Sequence, residues 1–404
     1  MDNIMILGAG DFQLPLVQKA SEKYNVILVA PSIDSRFDKY VYKKYYFDVR
    51  EQDKILEIAK QESIVGITTD QTDIPVRTVA YVAENMNLPG IGYEVAKIFT
   101  DKGLMRHKLE EAGIDVIPYV CTDNLNDAIS FMSNINSSVI VKPVDTQGSR
   151  GVIKVDSIDD LSDAFYNAAN YSTNNCVVVE KYIVGPEVVI EGITVNYNCV
   201  KQICGDTIYF DDKTKFSAKK RIFPSSLNSE LVDNALQLNK RIIKAFGLNN
   251  GITHGEYIFD GNKVYLIEIA ARGGGVFISS DLIHETTGLN TEEFLLDISV
   301  GKTPDLALKD TGKTAGYRAF YLQPGIVKKI EGINTICSFP FIKRNQFDCI
   351  YEGMQIDKNV NKTSRFAFII VADSLQQWID YQTTIKNILS IVNNESMDSA
   401  IIWE

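Results

Sequence analysis

The chain has 404 residues, of which 45% are hydrophobic and 23% charged, the composition of an ordinary globular protein and not of a disordered, collagen-like or coiled-coil chain. At about 100–200 residues per domain, that length allows roughly two to four domains. Fifty-two acidic against 41 basic residues give a formal net charge of −11, so nothing supports a broad attraction to nucleic acid or anionic lipid, and an anionic ligand needs a local basic pocket.

Six cysteines, at 121, 176, 199, 204, 337 and 349, form no CxxC pair, and only three histidines accompany them, which argues against a Cys/His zinc site. Reduced, structural thiols are expected. No apolar run reaches the ~20 residues of a membrane span, and Met1-Asp2 leads into a strand-like segment instead of a basic and then apolar signal region. The cytoplasm is the expected compartment.

In chain order, the apolar run Ile4 to Leu7, the turn Gly8-Ala9-Gly10, a helix from Leu14 to Ser21 and the apolar run Val26 to Ala30 read as β–loop–α–β. A helix at 51–61, a strand from Ile64 to Thr68 and a helix at about 74–86 continue the alternation, which predicts a parallel sheet ending near residue 95. GAGDFQ supplies two of the three glycines of a dinucleotide turn, and no acidic residue closes the second strand, so the spacing fails for a nicotinamide or flavin site. The glycines then serve a sharp turn.

From 101 a helix runs to Gly113, a second covers 127–136, and the strand Val139 to Lys142 follows. PVDTQGSRGVIKV places Gly148-Ser149-Arg150-Gly151 at the tip between two β-type segments, a hairpin flap able to close over a ligand. A helix at 158–170 leads to the apolar strand Cys176 to Val179. The segments 187–195, 199–208 and 252–270 are β-rich, and 229–246 is an amphipathic helix. Residues 301–404 read as a last α+β unit, with strands near 315–321, 326–330 and 366–371 and a helix from 374 to about 391.

Glu256 and Glu268 lie in apolar β segments either side of Asp260-Gly261-Asn262. A three-residue loop pairs Phe259 with Lys263, sets Glu256 opposite Leu266 and leaves Glu268 one diagonal step away on the same face. Two such carboxylates repel unless a cation sits between them, and hard oxygen donors suit Mg²⁺ or Mn²⁺ holding phosphates; alternatively one of them is solvated at the sheet edge. Lys142, at the end of a buried strand just ahead of the flap, is either a phosphate ligand or a solvated strand terminus. Beyond Glu180, the extended Lys181-Tyr182-Ile183 exposes backbone groups that suit an adenine edge, or it is a plain strand exit.

The ordered series DKGLMRHKL, VIVKPVDTQGSRGV, VVEKYIVGPE and HGEYIFDGNKVYLIEIAARGGG resembles the ATP-grasp superfamily of carboxylate–amine ligases, a group that includes biotin carboxylase and carbamoyl phosphate synthetase. The resemblance spans nearly the whole chain and is closest in flavour to the L-amino-acid ligases and the formate-dependent glycinamide ribonucleotide transformylase, the ARGGG segment favouring the former. It implies α/β and α+β architecture in three domains: a parallel-sheet pre-ATP-grasp domain at 1–95, an ATP-grasp nucleotide-binding and catalytic domain with a hairpin flap at 96–300, and a C-terminal α+β domain at 301–404. Carried over residue by residue, Lys102 and Lys142 hold the nucleotide phosphates, with Gly148, Ser149, Arg150 and Gly151 as the flap over them. Glu180 and the backbone of Lys181, Tyr182 and Ile183 hold the adenine, Glu187 the ribose, and Glu256 and Glu268 the metal ions. Arg272 faces the acyl phosphate. The family often has Asn where this chain has Ala270, which removes one metal ligand.

The implied cofactors are ATP and Mg²⁺ (or Mn²⁺), and the implied partners a small-molecule carboxylate and an amine, without nucleic acid or membrane, in a homodimer. Phosphoryl transfer to a carboxylate gives ADP and an acyl phosphate that an amine attacks, and no Ser, Cys or His nucleophile is needed. Arg272-Gly273-Gly274-Gly275 offers a guanidinium and backbone amides to a carboxylate, unless it is a surface loop. The alternatives are a carboxylase or formate-dependent ligase using bicarbonate or formate, and a non-catalytic nucleotide-binding protein. Lys219-Lys220-Arg221 is either a contact for an anionic substrate or phosphate, or a solvated charge run, and His254 is expected to be structural.

Overall fold

Apolar runs too short for a membrane and flanked by amphipathic helices bury both faces of a sheet, and the first hundred residues do so. In the computed structural model, Asn3–Leu7, Asn25–Val29, Lys43–Tyr45 and Gly66–Thr68 pair in parallel in the order 43–45, 25–29, 3–7, 66–68. Ile4, Met5, Ile6 and Leu7 are fully buried. The helices Leu14–Ser21, Gln52–Gln61 and Val76–Asn85 lie within two residues of their expected limits. The edge strand Lys43–Tyr45 was not expected, because its KKY sequence carries no apolar alternation.

The structure describes residues 1–211, 216–306, 308–357, 365–396 and 398–404, folded as two compact units. The first comprises Met1–Cys204, Leu227–Ser280 and Leu289–Ala307; the second comprises Gly205–Ser226, Asp281–Gly288 and Leu308–Glu404. This partition differs from a division at 95 and 300: residues 1–95 join most of 96–300, while 205–226 and 281–288 go with the last hundred residues. No helix among the described residues is long and apolar enough to cross a membrane.

Within the first unit, Tyr119–Thr122, Val177–Lys181, Val139–Pro143 and Ile153–Val155 form an antiparallel sheet in that order. Val139 pairs with Val155, so the GSRG tip does cap a hairpin. Gly148 and Gly151 both have φ of 72°, where an L side chain is strained, and a Cβ on Gly151 would stand 2.8 Å from the Tyr171 ring. A third sheet contains Lys263–Ala270, Gly251–Asp260 and Glu187–Val195.

The long helix Ser229–Phe246 packs against this third sheet. Its Asn228 cap accepts the Leu231 N–H, and it stops at Gly247 with φ of 78°. One face of the sheet is hydrocarbon: Val188, Ile190, Tyr257, Phe259, Leu266 and Ile269 are buried with Leu238 and Ile242 of that helix and with Met105 and Leu109 of the helix Lys102–Glu111.

The second unit contains the end of Asn198–Tyr209, then Ala218–Phe223, Thr314–Leu322, Arg365–Ala372 and Ile342–Asn345, paired antiparallel in that order. Its core is centred on Trp378, Phe320, Phe368 and Ile385. The last helix is shorter than its sequence pattern suggests. It covers Leu375–Ile388, and Leu389 turns extended so that Ser390–Asn393 pairs with Gly325–Glu331. The β-branched pair at 391 and 392 belongs to the strand.

Gly185, in the turn between Val177–Lys181 and Glu187–Val195, lies so close to the next hairpin that a Cβ there would stand 1.8 Å from the Phe259 carbonyl oxygen, with Phe259 N–H bonded to the Pro186 carbonyl at 3.0 Å. Gly185→Ala is expected to cost about 2–3 kcal/mol by forcing these backbones apart, read as a fall of several degrees in Tm.

Candidate active site

The face of the third sheet opposite the hydrocarbon is acidic. Side chains alternate along strands, so Glu187 and Glu191 share a face with His254 and Glu256, and the register sets His254 opposite Glu191 on one side and Ala270 on the other. The turn holds two residues, not three: Asp260 pairs with Lys263. The register then slips between Glu256 and Tyr257. Glu256 therefore stands directly opposite Glu268 instead of Leu266, and the two carboxylates are closer neighbours than the diagonal arrangement expected from the sequence. Ile267, skipped in the register, offers its carbonyl to Arg106 Nη2 at 2.6 Å.

Arg106 and Lys102 are one turn apart on the helix Lys102–Glu111, whose Asp101 cap accepts the Leu104 N–H. Arg106 Nε donates to Glu180 Oε1 at 2.6 Å, and Lys142 Nζ lies 2.6 Å from Glu180 Oε2. All three side chains are buried. Burial works against the Glu180 carboxylate, but Arg106 and Lys142 outweigh it and hold it below the usual range; burial, which Glu180 only partly offsets, pulls the Lys142 ammonium down. Lys102 Nζ lies 3.0 Å from Glu268 Oε2 and donates to the Thr146 carbonyl at 2.9 Å. Burial opposes its charge; Glu268 and then Asp73 keep its pKa above normal.

His254 connects two of the acids. Its Nδ1 bonds to the buried Glu191, and its Nε2 lies 3.4 Å from Glu256 Oε1. Among the described residues no group of three or more acid, His or Cys side chains is drawn together as a ready metal cluster. Glu256 and Glu268, with side chains 20% and 33% exposed, are nonetheless hard oxygen donors paired in register, and Lys102 already places a cation on one of them. They fit a divalent ion.

The glycine segment is framed by a polar turn that the sequence reading passed over. After Gly66–Thr68, Asp70 Oδ1 accepts the Gly273 N–H at 3.0 Å, Gln71 Oε1 accepts the Phe277 N–H at 3.0 Å, and Asp73 grips Arg272 with two bonds of 2.7 and 3.0 Å. Glu191 Oε2 accepts the Gly274 N–H at 3.0 Å. The sequence led us to expect the amides of Gly273 and Gly274 to be offered to a substrate; instead they are taken by Asp70 and Glu191, because buried carboxylates need those donors. The signal for the missed residues was TTDQTD, a polar run at the C-terminal end of a buried parallel strand, where ligands of open α/β sheets gather.

The strand exit is also more committed than expected. The Lys181 N–H donates to the Pro118 carbonyl and the Tyr182 N–H to the Ser138 carbonyl, both at 2.9 Å, so these two donors are already committed, while Ile183 beside them is buried. Glu187 opens its strand in the register position opposite Ile258. The flap tip Ser149 and Arg150 is exposed, whereas its base is pinned: Gln147 Oε1 accepts the Asp73 N–H at 2.8 Å, and Gln147 Nε2 donates to Thr72 Oγ1 at 3.1 Å. Lys219 lies in the second unit, bound to Asp211 and Glu404.

Residues 135–281 match the ATP-grasp domain. The chain is 25% identical over 299 residues to the L-arginine-specific L-amino acid ligase of Bacillus subtilis, covering 69% of this chain and 68% of that one. It is 26% identical over 276 residues to the alanine–anticapsin ligase of Bacillus subtilis strain 168, covering 63% of this chain and 58% of that one. The L-amino acid ligase of Bacillus licheniformis shares the fold with a TM-score of 0.82 at 20% identity over 98% of this chain and 99% of its own. Phosphoribosylglycinamide synthetase of Anaerococcus prevotii shares it with a TM-score of 0.79 at 21% identity, covering 97% and 100%. Residues 135–281 are an ATP-grasp domain, and with these ligase relatives the chain is an ATP-dependent, ADP-forming carboxylate–amine ligase.

Burial pushes the Asp70 carboxyl up to about 6 from 3.8, although Ser279 and the Gly273 and Gln71 amides favour its ionised form. Folded Asp70 holds its proton to higher pH than unfolded Asp70, so its contribution to stability falls as pH rises from about 4 through 6. The unfolding free energy of Asp70→Asn relative to the parent is expected to rise by up to about 3 kcal/mol across that window, as measured by urea melts at a series of pH values; a pH-independent difference would contradict it.

Proposed function

We propose that this enzyme phosphorylates the carboxylate of an amino acid with ATP and joins the resulting acyl group to an amine, with Mg²⁺ or Mn²⁺ held by Glu256 and Glu268. The observation that carries the reading is the direct pairing of Glu256 with Glu268, with Lys102 on the second and Arg272, held by Asp73, four residues further on. The two amino-acid-joining relatives support the substrate class. A divalent ion bound there supplies charge neutralisation for the phosphates.

The chain's own groups do the rest. Lys142 and Lys102 turn toward phosphate oxygens, Ile183 meets the adenine edge and Glu187 the ribose. Closing of Gly148 to Gly151 excludes water from the acyl phosphate. Arg272 faces the substrate carboxylate with a planar fork that Asp73 orients, and it stabilises charge on the carbonyl oxygen as the amine attacks. Gly273, Gly274 and Gly275 shape this wall, the first two through hydrogen bonds to Asp70 and Glu191. The division at 95 and 300 into nucleotide-edge, catalytic and C-terminal parts belongs to this reading. So do a homodimeric assembly, to be weighed by light scattering, and a cytoplasmic setting, which six free cysteines favour.

With ATP and magnesium, a screen of L-amino acids against amines is expected to release ADP and phosphate, and ¹⁸O from labelled carboxylate should appear in the phosphate. AMP and pyrophosphate as the main products would overturn the reading, and turnover with bicarbonate or formate alone would replace its substrate class. Glu268→Gln is expected to lower kcat by about 10²-fold or more with the fold intact. Asp73→Asn should lower kcat by about 10²-fold through a misdirected Arg272 while the ATP-induced rise in Tm persists.

A further inference from the structure

Among its described residues, the second unit gathers buried and half-buried cations around the Glu404 carboxylate. Lys220 on Ala218–Phe223 stands directly opposite Arg318 on Thr314–Leu322, and like charges in that position destabilise a sheet unless an anion joins them. Against the neighbouring strand, Tyr209 pairs with Ala218 and Ile208 with Lys220, so Lys219 is an extra, bulged residue. A bulge re-aims its side chain. Lys219 Nζ lies 2.6 Å from Glu404 Oε2 and 2.8 Å from Asp211 Oδ1.

Two more cations meet the same carboxylate. Arg318 Nη2 bonds to the Trp403 carbonyl and lies 3.2 Å from Glu404 Oε1, and Lys386 Nζ lies 2.8 Å from that oxygen. Arg318 is 1% exposed, and its Nε has no hydrogen-bond partner among the described residues. The Glu404 side chain is 55% exposed, so the cluster opens to solvent at the acid that occupies it. Burial opposes that acid's ionisation, yet Lys219 and Lys386 hold it at about 2.

We propose that Lys219, Lys220, Arg318 and Lys386 form a phosphate-binding site in which the Glu404 carboxylate is a resident, displaceable ligand. Once Glu404 swings out, the carboxylate left beside these four cations among the described residues is that of Asp211. A phosphate dianion balances that excess better than a monocarboxylate does, and its additional oxygens reach the unused Arg318 Nε and Lys220.

The test compares the full chain with its Glu404→Gln variant by calorimetric titration of inorganic phosphate at fixed ionic strength. Glu404→Gln removes the competing charge and is expected to tighten one phosphate site about tenfold or more. Adding Lys220→Gln should reverse the gain. Melting curves give a second readout: Glu404→Gln should lose a few degrees of Tm in phosphate-free buffer and regain them with phosphate but not with acetate. Unchanged phosphate affinity in Glu404→Gln overturns the site, and equal rescue by acetate overturns its assignment to phosphate.

Discussion

Three neighbouring strands with hydrocarbon on one face and Glu187, Glu191, Glu256 and Glu268 on the other cannot stand without positive charge and N–H donors to match the acids. The chain supplies them from every side. His254 and the Gly274 amide serve Glu191, and Lys102 serves Glu268. The hydrocarbon face fixes which residues point the other way, because a slip of one residue would turn all four acids into the hydrocarbon. The acidic face is thus a consequence of the core, and the cations around it follow from the acids.

The parallel sheet at the start of the chain has a corresponding role. In its turn Gly8-Ala9-Gly10, the Gly10 N–H donates to Gln13 Oε1 at 2.9 Å, and Gln13 Nε2 donates to the Asp70 carbonyl at 2.8 Å. The glycine turn therefore braces the 70–73 turn, and the 70–73 turn braces Arg272 to Phe277. Under the ligase reading, rigid framing of this kind is what Arg272 needs, since a misplaced guanidinium loses most of its effect. Gln147 ties the flap base to the same turn, so the flap and Arg272 share one support.

Much of this was legible before any coordinates. Many strand and helix limits from 3 to 270 follow from apolar periodicity and caps, but Lys43–Tyr45, Tyr93–Ile98, Tyr119–Thr122 and Ala218–Phe223 do not. The register of the hairpin was not legible: a two-residue turn and a skipped Ile267 leave no compositional trace, yet together they move Glu268 from a diagonal position to one directly opposite Glu256. Ion-pair partners were also hidden. Glu180 reads as an adenine ligand by resemblance, but it also fills the place between Arg106 and Lys142, a meeting of three segments far apart in the chain. The end of the last helix failed for a local reason, since Leu389 to Asn393 carries apolar residues that suit either state and the partner strand Gly325–Glu331 decides it.

The charges around the ligase face are not distributed evenly, and the imbalance has a direction. Lys102 with Glu268 and Arg272 with Asp73 are matched pairs, whereas Glu180 alone faces both Arg106 and Lys142. One positive charge is in excess there, on buried groups, and burial already draws the Lys142 ammonium toward its neutral form. An anion brought to Lys142 relieves that tension without breaking a pair, because Arg106 keeps Glu180 satisfied. At Lys102 the opposite holds: the ammonium leaves Glu268 only if another cation takes its place. Under the ligase reading, triphosphate and metal ion are therefore favoured together at Lys102 and separately at Lys142, so the order of assembly is written in which lysine already has a carboxylate to itself.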